Sequence, residues 1–232
     1  MTAIDPGRPE VIALDVTGDA LLTLDALADA AARLPEVHAQ HHLARLGRLL
    51  PDGRVERLPL ETPEVIRTIR ANQSWVMLQS LGTLPEYHPL LRRVGAPHQL
   101  ALRSAGEVPT GNDLIAFVGS PHASVPFHYD VNHHLLVQVE GTKRVAVGAF
   151  DDPQERDRQL ARGLMDHRLN VDRTPDRIEE FVLRPGEALV IPAFAFHAVE
   201  GDGDVSIALT YMVATADTER RRSQYQVIAR TA

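Results

Sequence analysis

Short runs of alternating apolar and polar residues, separated by turn signals, dominate the chain after about residue 110. β-Branched and aromatic residues are frequent in these runs. Many short strands at such spacing are typical of an antiparallel sandwich or barrel, so we expect a mainly β fold with flanking helices. The predicted strands cover residues 113–119, 125–130, 134–140, 143–150, 180–183, 188–191 and 205–214. Gly141 and Thr142 are predicted to join two of these strands in a tight hairpin.

Before residue 74 the pattern is mixed, with helical and extended segments. Leucine and alanine at helical spacing predict a helix over 22–34, and a Thr-Pro-Glu sequence at 62–64 begins another that extends to about residue 72. The segment 41–60 stays ambiguous, and its Asp-Gly pair at 52–53 predicts a turn between two extended pieces. The other predicted elements of the first half are strands over 11–16 and 74–80 and a helix over 83–94.

Two polar segments complete the predicted architecture. Residues 151–176 are rich in arginine and aspartate, which predicts an insertion of helix and loop. Residues 218–230 predict a C-terminal helix that either covers the barrel or pairs with a second copy of the chain. Because repeats and long linkers are absent, we expect a single domain. Its mixed α/β part, β core and C-terminal helix are predicted at residues 1–73, 74–215 and 216–232.

The composition excludes several classes of protein. With 44% hydrophobic and 24% charged residues the chain is an ordinary globular sequence, and it has no apolar run long enough to cross a membrane. A net charge of −7 argues against nucleic acid and anionic membranes as partners. The N-terminus has no pattern of a secretory signal, so we expect a cytoplasmic protein. Since cysteine is absent, any metal must be held by His, Asp or Glu.

Two histidines and an aspartate form the strongest chemical signal. His128 and Asp130 stand two positions apart at the end of a predicted strand, so their side chains share one face. On its own, such a pair is more often a surface histidine beside an aspartate. The segment 184–197 then has the pattern of a turn, a buried strand, a second turn and His197. Two histidines and one carboxylate on a divalent ion leave three coordination positions open, as in the facial triad of non-haem Fe(II) oxygenases.

These segments resemble the JmjC and JmjC-like branch of the cupin superfamily over about residues 74–214. The densest part is 126–145, PFHYDVNHHLLVQVEGTKRV, which contains the family's His-x-Asp, apolar strand and Gly-x-Lys. Residues 185–197 resemble the second cupin motif. The resemblance implies a double-stranded β-helix (a jelly roll) and an Fe(II)- and 2-oxoglutarate-dependent oxygenase.

The resemblance also implies roles for single residues. His128, Asp130 and His197 match the metal ligands and so form the expected catalytic centre. Lys143, the chain's only lysine, matches the lysine that pairs with the distal carboxylate of 2-oxoglutarate in the asparaginyl-hydroxylase-like members. A compact ammonium group suits one buried carboxylate, although a lysine after a turn is also common at surfaces.

Three positions depart from the family pattern. An asparagine four residues after the carboxylate ligand is His134 here, an aromatic hydroxyl is Met77, and a threonine before the first ligand is Val125. The missing hydroxyls bear on how 2-oxoglutarate is held. On the last predicted strand, Ser206 and Thr210 share a small, polar face that either supplies hydroxyls to a cavity or faces solvent.

Aromatic and histidine side chains near these positions are candidates for the substrate pocket, and each is also a candidate for ordinary core packing. Because neighbouring strand residues point to opposite faces, at most one of His133 and His134 faces the metal. The other histidines have no partner that completes a ligand set. The pocket candidates are Tyr129, His134, Trp75 and Tyr211.

We therefore expect an Fe(II)- and 2-oxoglutarate-dependent hydroxylase that acts on an amino acid, a peptide or protein, or a natural product. The fold does not choose among these substrates. Met77 and Val125 leave open a metal-dependent cupin enzyme that does not use 2-oxoglutarate. A non-catalytic binding cupin or scaffold dimer is a third alternative, and nucleic acid is the least favoured partner of an acidic chain.

Overall fold

Strands make up most of the regular structure in this computed structural model, which describes residues 4–44, 49, 56–166 and 169–231. The strands are β1 (Glu10–Ala13), β2 (Ala39–Leu43), β3 (Ser74–Leu78), β4 (Pro109–Gly119), β5 (Ser124–Tyr129), β6 (His133–Glu140), β7 (Lys143–Ala149), β8 (Arg177–Leu183), β9 (Glu187–Ile191), β10 (Phe196–Gly201) and β11 (Ser206–Thr215). The α-helices are α1 (Leu24–Ala31), α2 (Thr62–Arg67), α3 (His88–Ser104), α4 (Pro153–Asp166) and α5 (Ala216–Thr231). The prediction of a mainly β fold with flanking helices is confirmed.

The strands form two antiparallel sheets that face each other. The larger sheet has seven strands in the order β1-β9-β6-β11-β4-β3-β2, and the smaller has four in the order β5-β10-β7-β8. From β4 to β11 the chain crosses between the sheets at every connection except that from β7 to β8. This winding makes a jelly roll, and β1 to β3 extend its larger sheet.

Inward and outward side chains alternate along the strands and create three apolar cores. One core fills part of the space between the sheets, where Leu136 and Leu189 of the larger sheet meet Val145 of the smaller. A second lies between the larger sheet and α1 to α3. A third lies between the smaller sheet and α4. Apolar side chains therefore pack on both faces of each sheet, which explains why so many strand residues are apolar, whereas the first four residues of β8 are exposed.

The turn at Gly141 and Thr142 is not the tight hairpin that the sequence predicts. β6 pairs with β9 and β11, whereas β7 pairs with β8 and β10, so the turn carries the chain from one sheet to the other. Gly141 has a φ of 71°, and a Cβ at this position would collide with the backbone carbonyl of Val205. A local turn signal shows where a strand ends, whereas strand pairing depends on the whole sheet.

Several other boundaries differ from the sequence prediction: β1, α1 and α2, for example, end earlier than predicted. α3 runs through Pro97 to Ser104, beyond the predicted end at residue 94. Its packing against the larger sheet outweighs the backbone hydrogen bond that a proline removes. β10 occupies residues 196–201, where the sequence predicts only a turn. The predicted turn at 52–53 lies outside the described residues.

The C-terminal helix covers the jelly roll. The ring of Tyr225 on α5 lies 5.7 Å from that of Phe194, and α5 packs along α4 over the outer face of the smaller sheet. This is the first of the two predicted roles, and pairing with a second copy stays a prediction. Each helix in the described part of the chain is too short or too polar to span a bilayer.

One buried side chain has unfavourable surroundings in this fold. His98 on α3 is fully buried, and its ring centroid lies 6.5 Å from that of Tyr211 in an edge-to-face arrangement. Neither ring nitrogen has a hydrogen-bond partner among the described residues. Burial, assisted by His133 and His134, lowers the pKa of His98 to about 3. Because the unfolded imidazole binds a proton near its ordinary pKa of 6.5, the folded state loses stability as the pH falls below that value.

We expect His98→Leu to raise the free energy of unfolding at neutral pH by about 1–2 kcal/mol, because an unpaired buried polar group costs about 1–3 kcal/mol. The variant should also lose less stability than the parent protein when the pH falls from about 6.5 to about 4. Urea unfolding at several pH values measures both effects. A variant that is less stable than the parent at neutral pH would show that the imidazole is not an unfavourable group.

Candidate metal centre and cavity

A cross-strand pair brings two histidines together. His128 on β5 and His197 on β10 stand opposite each other in the antiparallel register, and their ring centroids lie 4.2 Å apart. The residues beside His128, Phe127 and Tyr129, point outward into the core beneath α4. Side-chain alternation therefore directs His128 into the space between the sheets.

Asp130 completes a cluster of three side chains. It follows β5 directly, and its backbone carbonyl accepts a hydrogen bond from the amide of Phe194 at 2.7 Å. Its Oδ2 lies 3.6 Å from Nε2 of His197 and 3.9 Å from Nε2 of His128. The three donor atoms all lie within 4.8 Å of one another. The structure thus brings together the three residues that the sequence predicts as metal ligands.

Backbone carbonyls orient both imidazole rings. Nδ1 of His128 lies 2.8 Å from the carbonyl oxygen of Pro126, and Nδ1 of His197 lies 3.0 Å from that of Ala195. Because a carbonyl only accepts, each Nδ1 donates and carries the proton of the neutral ring. Each Nε2 then directs a lone pair toward the carboxylate. Two lone pairs and a carboxylate converging in this way fit a shared cation, and an outer hydrogen bond of this kind is usual for metal-binding histidines.

Burial and neighbouring groups keep the carboxyl of Asp130 and the ring of His197 unprotonated at neutral pH. Burial lowers the pKa of His197 well below its usual value, and His128 and His134 lower it further. Burial raises the pKa of Asp130, but the three histidines together lower it by more, so the pKa of this carboxyl lies below its usual value. Metal ligands must be deprotonated, and the carboxylate and His197 meet that condition at neutral pH.

The cluster borders a cavity of about 480 Å³ between the two sheets. Lys143, the first residue of β7, lines the same cavity and is only 8% exposed. Its Nζ lies 5.9 Å from the ring centroid of Phe117. Burial alone lowers the pKa of Lys143 to about 8, without an opposing carboxylate. The amine is therefore charged at neutral pH, and its ammonium faces a cavity that suits an anionic group.

The last strand presents its polar face to the interior. Thr210 lines the cavity, whereas Ser206 accepts a hydrogen bond from Nε2 of Gln138 at 2.9 Å and borders a smaller hollow shared with Lys143. The alternative that this face contacts solvent is wrong. Ser206 borders this smaller hollow and not the cavity that Thr210 lines, and the binding of a cofactor by either hydroxyl stays a prediction.

Two of the four pocket candidates are wrong. Tyr129 points outward from β5, and its hydroxyl donates to the carbonyl of Leu160 in the core beneath α4. Tyr211 points outward from β11 and packs against α3, where a Cβ at Gly95 would collide with its ring. Each tyrosine is next to a residue that faces inward. A residue that directly follows or precedes an inward-facing residue on a strand points to the opposite face of the sheet.

The other two candidates line the cavity. Trp75 lies on the inward face of β3, and His134 lies on the inward face of β6. Nδ1 of His134 is 3.6 Å from Oδ2 of Asp130. His133 points to the other side of the sheet, where its Nδ1 accepts a hydrogen bond from the amide of Ala193 at 3.3 Å. Only one of the adjacent histidines faces the cluster, as expected.

The sequence analysis missed one wall of the cavity. β2 contributes Gln40 and His42, which share a face, and the ring of His42 lies 4.8 Å from that of Trp75. Burial, with smaller effects of nearby cationic groups, lowers the pKa of His42 to about 4. The available signal was the two-residue spacing of Gln40 and His42, which lie at the border of the ambiguous segment 41–60. Further lining residues without a sequence signal are Gln79, Phe117 and Asn170.

A family model described as a cupin-like domain matches residues 63–212. The chain belongs to this cupin-like family. The match extends from α2 into β11 and includes the three clustered donors and Lys143. The predicted cupin-type jelly roll is confirmed.

Solved structures of YcfD from Escherichia coli share the fold of this cupin-like chain. One superposes with a TM-score of 0.62 at 17% identity, covering 90% of this chain and 50% of YcfD. A structure of YcfD as a ribosomal oxygenase in complex with cobalt and 2-oxoglutarate has a TM-score of 0.59 at 20% identity, covering 94% and 51%. A third, with cobalt and succinic acid, has a TM-score of 0.57 at 18% identity, covering 90% and 49%. This chain spans about half the length of YcfD. No curated protein sequence matches it.

Lys143→Met should stabilise the ligand-free protein, because it removes a buried cation that has no counter-ion among the described residues. Its folded-state pKa of about 8 lies below the ordinary value of 10.5, so the parent should gain stability as the pH rises between these values. The variant should lack that gain and be more stable at neutral pH by about 1–3 kcal/mol. Urea unfolding at neutral and alkaline pH measures this, with exposed Arg144→Met as the matched control. Equal stability of parent and variant at all pH values contradicts it.

Proposed function

We propose that this cupin-like protein is an Fe(II)- and 2-oxoglutarate-dependent oxygenase that acts as a hydroxylase. One observation carries the proposal: a single cavity contains both the two-histidine, one-carboxylate cluster and a buried ammonium group that has no carboxylate partner among the described residues. The fold shared with YcfD, which has been solved with cobalt and 2-oxoglutarate and with cobalt and succinic acid, supports it.

His128, Asp130 and His197 would hold the metal. Bound iron would supply the oxidative chemistry, in which 2-oxoglutarate and O2 are converted to succinate and CO2 as a substrate is hydroxylated. The carbonyls of Pro126 and Ala195 keep both imidazoles in the tautomer that binds a cation. Three protein ligands leave coordination positions for the co-substrate.

Lys143 and Thr210 would bind the distal carboxylate of 2-oxoglutarate. The ammonium of Lys143 is buried in apolar surroundings, where an ion pair is stronger than in water. The hydroxyl of Thr210 faces the same cavity and supplies a neutral donor. The sheets on both sides keep bulk water away from the co-substrate.

The substrate is an amino acid, a peptide or protein, or a natural product in this proposal. The name ribosomal oxygenase, given to YcfD, supports a protein substrate. Side-chain amides of Gln40, Gln79 and Asn170 line the cavity and offer neutral hydrogen-bonding groups to it. A cytoplasmic location, and the absence of nucleic acid and membrane partners, stay predictions.

A second candidate is a metal-dependent cupin enzyme that does not use 2-oxoglutarate. Met77 and Val125 line the cavity, so the two positions where relatives carry hydroxyls present apolar groups to it. This lining weakens the case for a tightly held dicarboxylate. Formation of succinate from 2-oxoglutarate distinguishes the two candidates.

We expect His128→Ala and Asp130→Ala to abolish iron-dependent succinate formation, because each removes one of three ligands. Tyr129→Phe is the matched control: it changes the residue between them, whose side chain points outward, and should retain activity. Succinate released from 2-oxoglutarate, with and without iron, is the measurement. Normal iron-dependent turnover by either alanine variant would show that the ligand assignment is wrong.

Lys143→Met should raise the 2-oxoglutarate requirement about 10- to 100-fold, since a hydrogen bond to a charged group contributes about 1.5–3 kcal/mol. The parent's affinity should fall about tenfold per pH unit above pH 8, as the free amine loses its proton, and the variant should lack this fall. Trp75, the chain's only tryptophan, lines the cavity, so its fluorescence reports binding with Co(II) present. Identical titration curves for parent and variant would remove Lys143 from this role.

A further inference from the structure

A third imidazole approaches the cluster of His128, Asp130 and His197 from the facing sheet. His134 lies on β6 of the larger sheet, whereas His128 and His197 lie on strands of the smaller one. Its side chain is only 3% exposed, and its ring centroid lies 5.0 Å from that of His197. Its Nδ1 is 3.6 Å from Oδ2 of Asp130, the same oxygen that faces Nε2 of both other histidines.

The acceptors that act on this buried ring are the carboxylate of Asp130 and the backbone of Asn132. Nδ1 of His134 makes no hydrogen bond within the described residues. A carboxylate oxygen only accepts hydrogen bonds, so an unprotonated Nδ1 would set its lone pair against that of Asp130, whereas a protonated Nδ1 can donate. A carboxylate oxygen also has two lone-pair sites. Oδ2 can therefore accept one hydrogen bond and still ligate a cation.

We propose that His134 is a positioning residue, whose Nδ1–H donates to Oδ2 of Asp130 and holds the carboxylate in its orientation toward the metal. Charge-assisted hydrogen bonds of this type are about 2.7–2.9 Å long, so the two groups must approach by about 0.8 Å. Hydrogen bonds at catalytic sites commonly tighten when the site is loaded. This inference rests on the proposed metal site and adds a residue that is not itself a ligand.

Two substitutions distinguish a hydrogen bond from His134 to Asp130 from a side chain that only fills the same volume. In asparagine the amide nitrogen is three bonds from Cα, as Nδ1 is in histidine, and in glutamine it is four bonds away, as Nε2 is. His134→Asn therefore keeps a donor that faces Asp130, whereas His134→Gln displaces it. We expect the Gln and Ala variants to weaken Co(II) binding about 10- to 100-fold, the usual effect of losing a metal ligand's partner, and the Asn variant to stay within about threefold of the parent.

The measurement is calorimetric titration of the metal-free protein with Co(II) alone, so no turnover is needed, and circular dichroism monitors folding. Near-parental affinity for Asn with weaker binding for Gln supports the proposal. Equal affinities of parent, Asn and Gln variants, equal losses for Asn and Gln, or an Asn variant that does not fold would overturn it. If the Ala variant is unfolded, the comparison of Asn with Gln decides. A parent that binds Co(II) no better than His128→Ala instead overturns the proposed metal site.

Discussion

The alternation of side chains across paired strands is the constraint on which the candidate site depends. The antiparallel pairing of β5 with β10 sets His128 directly opposite His197, and both point between the sheets. A register shift of one residue on β5 would turn Tyr129 inward and His128 outward. The aromatic core beneath α4 resists such a shift, because Phe127 and Tyr129 are fully buried in it. The core on the outer face of the smaller sheet therefore maintains the geometry on its inner face.

The interior of this jelly roll is unusual in the charge it contains. Lys143 is a buried cation without a carboxylate partner in the described part of the chain, and Asp130 is a carboxylate beside three imidazoles. Such groups reduce stability until a ligand of opposite charge arrives. Three apolar cores offset that cost in the ligand-free protein. The three donor residues and the ammonium of Lys143 line the same cavity at different places. This arrangement favours a ligand that binds a metal at one end and carries an anionic group at the other.

Three positions at which the sequence departs from the JmjC-like pattern line the cavity, but their side chains differ in chemistry from those of the pattern. Met77 and Val125 line the cavity, as the corresponding hydroxyl-bearing residues would, but they present apolar groups. His134 occupies the place of an asparagine and directs Nδ1 at Asp130. Thr210 supplies a hydroxyl from a different strand. In the proposed function, polar contacts to the co-substrate and to the carboxylate of Asp130 would therefore come from strands other than those that carry Met77 and Val125.

The sequence by itself determined the fold class, most strand positions, the three clustered donors and the lysine of the cavity. The fold class and the strands follow from apolar runs and turn residues, whereas the ligand set and the role of the lysine were implied by the resemblance of short motifs to JmjC-like proteins. The tertiary structure alone decided which sheet each strand joins, so the turn at Gly141 is a crossing between sheets. It also decided that Tyr129 and Tyr211 face outward and that β2 forms a wall of the cavity. Local patterns specify which residues share a face, but which face becomes the interior depends on contacts between strands far apart in the chain.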